Sequence, residues 1–277
     1  MNDNPDDPPL GPEAGIPLAG GNASATVVRV GDTVRRTPGS RHSGVPRLLD
    51  HLAASDFDAS PHHLGRDASG REVLSFLRGD TRQPATFWDD LAAAEAAARL
   101  LRRFHDASAS LPHGADTDWA SVWPYENAHE VICHNDPSPF NIVFAEGMPS
   151  GLIDFDLAGP GPRLYDLGFL AYWSTPLEFS APDMSAAATD DLRAGSPRLH
   201  AICDAYDIAN RGALPSMVAI ALDRLASPDV AARTMGDEAA RRLERHGHFA
   251  HWRQSAIGFA DHQDQLTRNL MSRVTTP

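Results

Sequence analysis

Val131-Ile-Cys-His-Asn-Asp-Pro-Ser-Pro-Phe-Asn-Ile-Val-Phe-Ala145, followed after a short connection by Gly151-Leu-Ile-Asp-Phe-Asp-Leu-Ala-Gly-Pro-Gly-Pro-Arg-Leu-Tyr-Asp-Leu-Gly168, decides the reading of this 277-residue chain. The stretch holds His134-x-Asp136-x-x-x-x-Asn141 and, thirteen residues after the asparagine, Asp154-Phe155-Asp156. Apolar runs precede His134 and flank the gap between Asn141 and Asp154. Three short strands are therefore expected, over 131–133, 141–145 and 151–155. At this chain's residue frequencies the pattern H-x-D-x4-N has a chance expectation of roughly 0.04. An isolated Asp or Asn beside proline is ordinarily a turn residue. The joint pattern, with a second aspartate closing an apolar strand, asks for more than turns.

One chemistry explains the spacing. Transfer of a phosphoryl group needs a metal-neutralised polyphosphate and an acceptor hydroxyl held in line, with little covalent work for the protein. Mg2+ takes hard oxygen ligands, and one carboxylate plus one amide leaves room for phosphate oxygens and water. A loop bearing a carboxylate and, five residues on, an amide can set the first on the hydroxyl and the second on the metal. A hairpin then returns a second carboxylate to the same ion.

These residues resemble the aminoglycoside phosphotransferase and choline kinase-like family, small-molecule kinases with a protein-kinase-like fold, over roughly residues 18–270. The resemblance implies an α+β chain of two lobes, a small antiparallel sheet followed by a larger helical lobe. It implies Asp136 as the catalytic aspartate, Asn141 and Asp154 as Mg2+ ligands, and ATP or GTP as phosphoryl donor. His134 and Asp166 become structural supports of the catalytic loop, and Asp156 stands where protein kinases carry the glycine of D-F-G. Two features separate the chain from protein kinases. Asn135, not arginine, precedes Asp136, and only eleven residues part Asp154 from Asp166, too few for a peptide-presenting activation segment.

Outward from the motif, Ala25–Val30 and Thr33–Thr37 read as β-branched strands joined at Gly31-Asp32. Val45, Leu48, Leu49 and Leu52 form one face of a short helix, and His62–Gly65 and Glu72–Leu77 read as further strands. Thr86-x-x-Asp89 has the form of a capping box opening a long helix to about Ala107, with Leu91, Ala94, Ala98, Leu101 and His105 inward. Beyond Arg163 helices are expected, one capped by Ser227 with Pro228 next. The domains are accordingly an acidic disordered tail at 1–17, a nucleotide-covering lobe at 18–78, and a helical lobe at 79–277 carrying the catalytic loop, metal site and acceptor site.

In the small lobe the resemblance implies that Gly20 and Gly21 cover the phosphates and that Phe76 and Leu77 form the hinge meeting the base. A cation on the second or third strand should contact phosphate. Arg35 and Arg36 are the candidates, on opposite faces; Arg36 is preferred because it shares Val34's face. The family's helix glutamate that pairs with this cation has no counterpart: no glutamate lies between Glu13 and Glu72, and Asp50 is expected to face solvent.

Composition narrows the field further. All 24 basic residues are arginine, where about fifteen lysines would be usual. Without lysine there is neither a Walker-A loop nor a Schiff-base or S-x-x-K enzyme, and any cation on phosphate must be a guanidinium. A net charge of −13 argues against nucleic acid or an anionic membrane as partner, and no 18-residue apolar run is present. Two cysteines, Cys133 and Cys203, suit a reduced cytoplasmic setting. His246-x-His248-x-x-His251 and arginines 241, 242 and 245 read as polar helix faces, and Cys133 as a buried small side chain. The expected function is γ-phosphoryl transfer to a hydroxyl of a small-molecule acceptor: aminoglycoside-like, amino-alcohol or sugar-like. A nucleotide-binding pseudokinase, motivated by the missing helix glutamate, is the alternative; a metallohydrolase is the third reading.

Overall fold

The β-branched Val27–Val30 (β2) and Thr33–Arg36 (β3) pair antiparallel across Gly31, whose φ of +58° lets the chain reverse in two residues. The computed structural model describes residues 15–18, 27–37, 44–82, 87–112 and 117–272. Ile16–Pro17 (β1), His63–Arg66 (β4) and Glu72–Ser75 (β5) complete an antiparallel sheet of order β1-β2-β3-β5-β4. Helix α1 (Gly44–Ala54) buries its Val45, Leu48, Leu49 and Leu52 stripe, and Asp50 on the other side leaves 66% of its side chain in solvent. Chain order places α1 between β3 and β4, while β5 sits beside β3. That crossing proves decisive for the site.

Three boundaries differ from the sequence expectation. Ile16–Pro17, assigned to the acidic tail, instead adds an edge strand opposite Val28 and Arg29; edge pairing tolerates proline because its missing N–H can face outward. Residues 1–14 of that tail, with Gly20, Gly21 and Thr86, lie outside the described residues. The long helix α2 runs Leu91–Ser108 and is capped by Asp90, whose carboxylate accepts from the Ala93 amide at 3.0 Å. Buried Phe87 and Trp88 occupy the turn before it, and Leu91, expected inward, is 37% exposed. The strand expected over 151–155 stops at Leu152, because Asp154 takes a left-handed conformation (φ 62°) and Phe155–Leu157 turn as a 3-10 segment.

The chain leaves the sheet at Ser75 and bridges from Asp80 to Phe144 of the larger lobe. Only glycine fits at Gly79 between them: φ is +140°, and a Cβ would lie 2.4 Å from the Phe144 carbonyl oxygen. The larger lobe carries two small hairpins, Val131–Cys133 (β6) with Gly159–Gly161 (β9) and Ile142–Ala145 (β7) with Met148–Leu152 (β8). Against them pack α2 and α3 (Arg163–Ser174), and on these and on one another are built α4 (Ser185–Arg193), α5 (Pro197–Tyr206), α6 (Leu214–Leu225), α7 (Pro228–Met235), α8 (Asp237–Arg245), α9 (His248–Ala260) and α10 (Gln263–Met271). Ser227 caps α7 through the Val230 amide, with Pro228 at the first position. One core joins α1, α2 and the hairpins to α3, α5 and α6.

Candidate active site

The fully buried run Val131–Cys133 forms β6 because its partner β9 is glycine-rich and lets neighbouring chain press close; a Cβ on Gly159 would lie 1.6 Å from the Ser121 carbonyl oxygen. At the end of β6 the backbone turns through Asn135 at φ 66°. What holds that turn is Asp166, fully buried in the first turn of α3. Its Oδ2 accepts from the His134 amide (2.5 Å) and faces His105 Nε2 (3.0 Å), and its Oδ1 accepts from the Asn135 amide (2.8 Å). A buried carboxylate is costly unless its lone pairs are met; here three donors meet them. His105 is in turn fixed by the Tyr206 hydroxyl at 2.5 Å on Nδ1.

His134 donates from Nε2 to the Ile153 carbonyl (2.9 Å), tying the loop to the strand that leads to Asp154. Burial pushes its pKa below the ordinary imidazole value, so the ring is neutral with its proton on Nε2. Its ring packs on Phe155, which is buried against Phe104 as well. Asn135 adds a bond from its amide to the Leu157 carbonyl (2.8 Å). The 134–136 and 154–157 segments are thus laced together by side-chain-to-backbone bonds.

Asp136 projects from this frame. Asn141 Nδ2 donates to its Oδ2 at 2.9 Å and to its backbone oxygen at 3.0 Å. Burial drives the Asp136 carboxyl up to about 7; the nearby Asp154 charge adds to this, while bonds from Ser138 and Asn141 oppose it. Because Asn141 spends its nitrogen on Asp136, the atom it can offer a cation is Oδ1. With Asp154, whose side chain is 43% exposed, it makes a hard, all-oxygen pair of the kind that Mg2+ takes.

The third part of the site comes from the small lobe. Arg36, at the end of β3, is buried and spreads its guanidinium over three carboxylates: Nε to Glu72 Oε2 (2.7 Å), Nη2 to Asp156 Oδ1 (2.7 Å) and Nη1 to Asp154 Oδ1 (3.5 Å). Burial works against its charge, but Asp156, Glu72 and Asp154 outweigh that and hold its pKa above the usual arginine value. Arg35 points to the other face, 3.9 Å from Asp67. The expectation that Arg36 lacks a paired carboxylate is corrected here. The partner is Glu72, directly opposite it in the β3–β5 register, not a residue of α1. Searching the helix missed it because strand order, not chain order, brings β5 beside β3.

Phe76 and Leu77, the expected hinge pair, behave differently from each other. The Phe76 amide donates to the Asp32 carbonyl (2.9 Å) and its ring lies 3.9 Å beneath the Arg29 guanidinium. Leu77 packs towards β8, where a Cβ on Gly151 would come within 2.7 Å of it. His105 and Tyr206 were not picked out as site residues; their only sequence signal was a polar ring on an Ala/Leu stripe. Among the described residues the one tight His/Cys/carboxylate cluster is His105, Cys133 and Asp166, and its imidazole and carboxylate are committed to the loop. Burial pushes the Cys133 thiol well up, as befits an inert core side chain. His248 and His251 lie beside Trp252 at the start of α9.

A family model described as the phosphotransferase enzyme family matches residues 77–202, which contain the whole of the loop, hairpin and α3 just described. That stretch is similar to the phosphotransferase enzyme family and takes in a little under half of the chain. Over 150 residues, the chain is 41% identical to the trifolitoxin immunity protein of Rhizobium leguminosarum bv. trifolii, covering 52% of this chain and 56% of that one. The chain therefore matches just over half the length of that curated relative. Among solved structures, a microcompartment-associated aminopropanol kinase aligns with TM-score 0.55 and 16% identity over 91% of this chain and 93% of its own. The spectinomycin phosphotransferase APH(9)-Ia, in complex with ADP and spectinomycin, aligns with TM-score 0.52 and 14% identity over 90% and 91%. These likenesses establish the protein-kinase-like, two-lobe α+β fold. No helix among the described residues is long and apolar enough to cross a membrane.

Proposed function

We propose that the chain is a small-molecule kinase that transfers the γ-phosphoryl group of ATP or GTP to a hydroxyl of an aminoglycoside-like, amino-alcohol or sugar-like acceptor. The observation that carries this reading is the convergence of Asp136, Asn141, Asp154 and Arg36, drawn from both lobes through two shared contacts, Asn141 to Asp136 and Arg36 to Asp154. Asp136 orients the acceptor hydroxyl and takes its proton, with the carboxylate held in place by Asn141 Nδ2. Asn141 Oδ1 and Asp154 hold Mg2+, which when bound neutralises charge on the phosphate oxygens. Arg36 offers the phosphates a permanently charged fork where related kinases use lysine. The loop supports, His134 and Asp166, keep Asp136 in register. Of the hinge pair, Phe76 has its amide committed to Asp32, so the base contact falls to the Leu77 backbone. The setting is cytoplasmic, in keeping with two free, buried cysteines.

The immunity-protein relative points to a role for the transfer: a phosphate on a toxin hydroxyl adds negative charge and blocks the toxin's recognition of its target. The pseudokinase alternative loses its motive, because Glu72 pairs with the cation that was expected to stand alone. The deciding experiment incubates the purified chain with Mg2+, ATP or GTP, and a panel of aminoglycosides, amino alcohols and sugars, scoring nucleoside diphosphate release. Acceptor-dependent release that vanishes in Asp136→Asn supports the kinase. Nucleotide binding without release on any acceptor favours the pseudokinase, and phosphate release without acceptor, dependent on Zn2+, the metallohydrolase.

A further inference from the structure

In kinases whose cation is paired from a helix, the position of that helix decides whether the site is assembled. Here the two are separate. Helix α1 offers one acid, Asp50, which among the described residues reaches towards His63 at 3.8 Å with most of its carboxylate in solvent. The helix is fastened instead to the larger lobe: His51 Nε2 bonds the Ala107 carbonyl (3.0 Å), Arg47 donates to Thr117 Oγ1 (2.9 Å), the Gly44 amide donates to the Asp118 carbonyl (3.2 Å), and Gly44 lies against the Trp119 ring. Arg36, by contrast, is gripped from its own sheet. Glu72 faces it across the β3–β5 ladder, both side chains are buried, and the Nε bond at 2.7 Å leaves the two Nη groups directed at Asp154 and Asp156.

We propose that Glu72 is the positioning residue for the phosphate-contacting cation, and that nucleotide binding is thereby independent of where α1 sits. The inference rests on the kinase reading and deepens it. A carboxylate on Nε fixes the plane of the guanidinium, because the fork is rigid and Nε sets its rotation about the side-chain axis. The two Nη groups then point along the line from β3 to the Asp154–Asp156 turn, where phosphate oxygens would bind. A lysine could not be aimed this way, since its ammonium carries three equivalent, freely rotating donors. Cross-strand pairing is also stiffer than a helix contact, since the ladder bonds of β3 and β5 hold both backbones in register.

The test is isothermal titration of the full chain with Mg-ADP and Mg-GDP, alongside thermal unfolding. Glu72→Gln is expected to weaken nucleotide affinity about tenfold. In an Arg36→Met background the same substitution should have no further effect, since Glu72 acts only through the guanidinium; a merely structural glutamate would cost the same in both. His51→Ala, which loosens α1 from the larger lobe, should lower the melting temperature and leave affinity unchanged. If Glu72→Gln fails to fold, Glu72→Asp, which keeps the charge but withdraws it from Nε, must give an intermediate loss. Unchanged affinity in either Glu72 variant, an undiminished effect in the Arg36→Met background, or an affinity loss in His51→Ala overturns the proposal. A wild-type chain that binds neither nucleotide overturns the kinase reading itself.

Discussion

The loop around Asp136 and the cluster around Arg36 both rest on buried carboxylates, yet they are built in opposite ways. Asp166 is a hub for donors from its own lobe: two backbone amides and an imidazole close on it, and nothing about the arrangement leaves a group for a ligand. Arg36 is a single cation shared among three acids, so the cluster carries surplus negative charge and its guanidinium has contacts that a phosphate can replace. One is a scaffold; under the proposed function the other is a docking point. Their responses to substitution should separate accordingly.

The largest effect is expected at the residue between them. Asp136→Asn should reduce transfer by about 10²- to 10⁴-fold, measured as diphosphate release under saturating nucleotide, with nucleotide affinity retained. Turnover at wild-type rate would remove Asp136 from its role. Next comes the scaffold. Asp166→Ala strands two buried amides and His105, and should cost about 3–5 kcal/mol in urea unfolding. An equal cost for Asp156→Ala, a member of the Arg36 cluster, would erase the distinction between the two regions.

A smaller effect follows from the raised Asp136 carboxyl. Its folded-state value of about 7 lies above the unfolded value near 4, so the folded chain holds an extra proton between them. The stabilisation this represents is complete below pH 4 and is lost as pH rises through 7. The ligand-free Asp136→Asn chain should therefore melt a few degrees above wild type at pH 8 and together with it near pH 4. The same titration predicts that transfer rises with pH through about 7, as the base loses its proton. A flat profile from pH 5.5 to 8 would contradict it. The smallest effect belongs to the helix that stays outside both clusters: Asp50→Ala should change stability by no more than about 0.5 kcal/mol and leave nucleotide affinity alone.

How far the sequence reached depended on whether the geometry was local. The span from His134 to Asn141 is one turn after one strand, and its residues meet across that turn; the spacing drew attention to Asp136 and Asn141, and the resemblance gave them their expected roles. Asp154 and Asp166 needed only a hairpin and a helix start to return to them. The face of β3 that carries Arg36 was equally legible, from alternation and the company of Val34. The start of α2 was misplaced by a few residues, since Thr86, Asp89 and Asp90 all carry capping side chains and the burial of Phe87 and Trp88 selected Asp90.

What the sequence by itself determined is the set of groups available: two carboxylates and an amide within one short segment and, with no lysine anywhere, guanidinium as the only side-chain cation of its kind. What only the tertiary structure decided is who holds that guanidinium. Glu72 stands thirty-six residues from Arg36 and becomes its neighbour because β5 inserts next to β3 while α1 is drawn off to the larger lobe. Spacing along a chain encodes contacts closed by a single turn. Contacts set by strand order come from packing the whole sheet, and no residue in either strand states them alone.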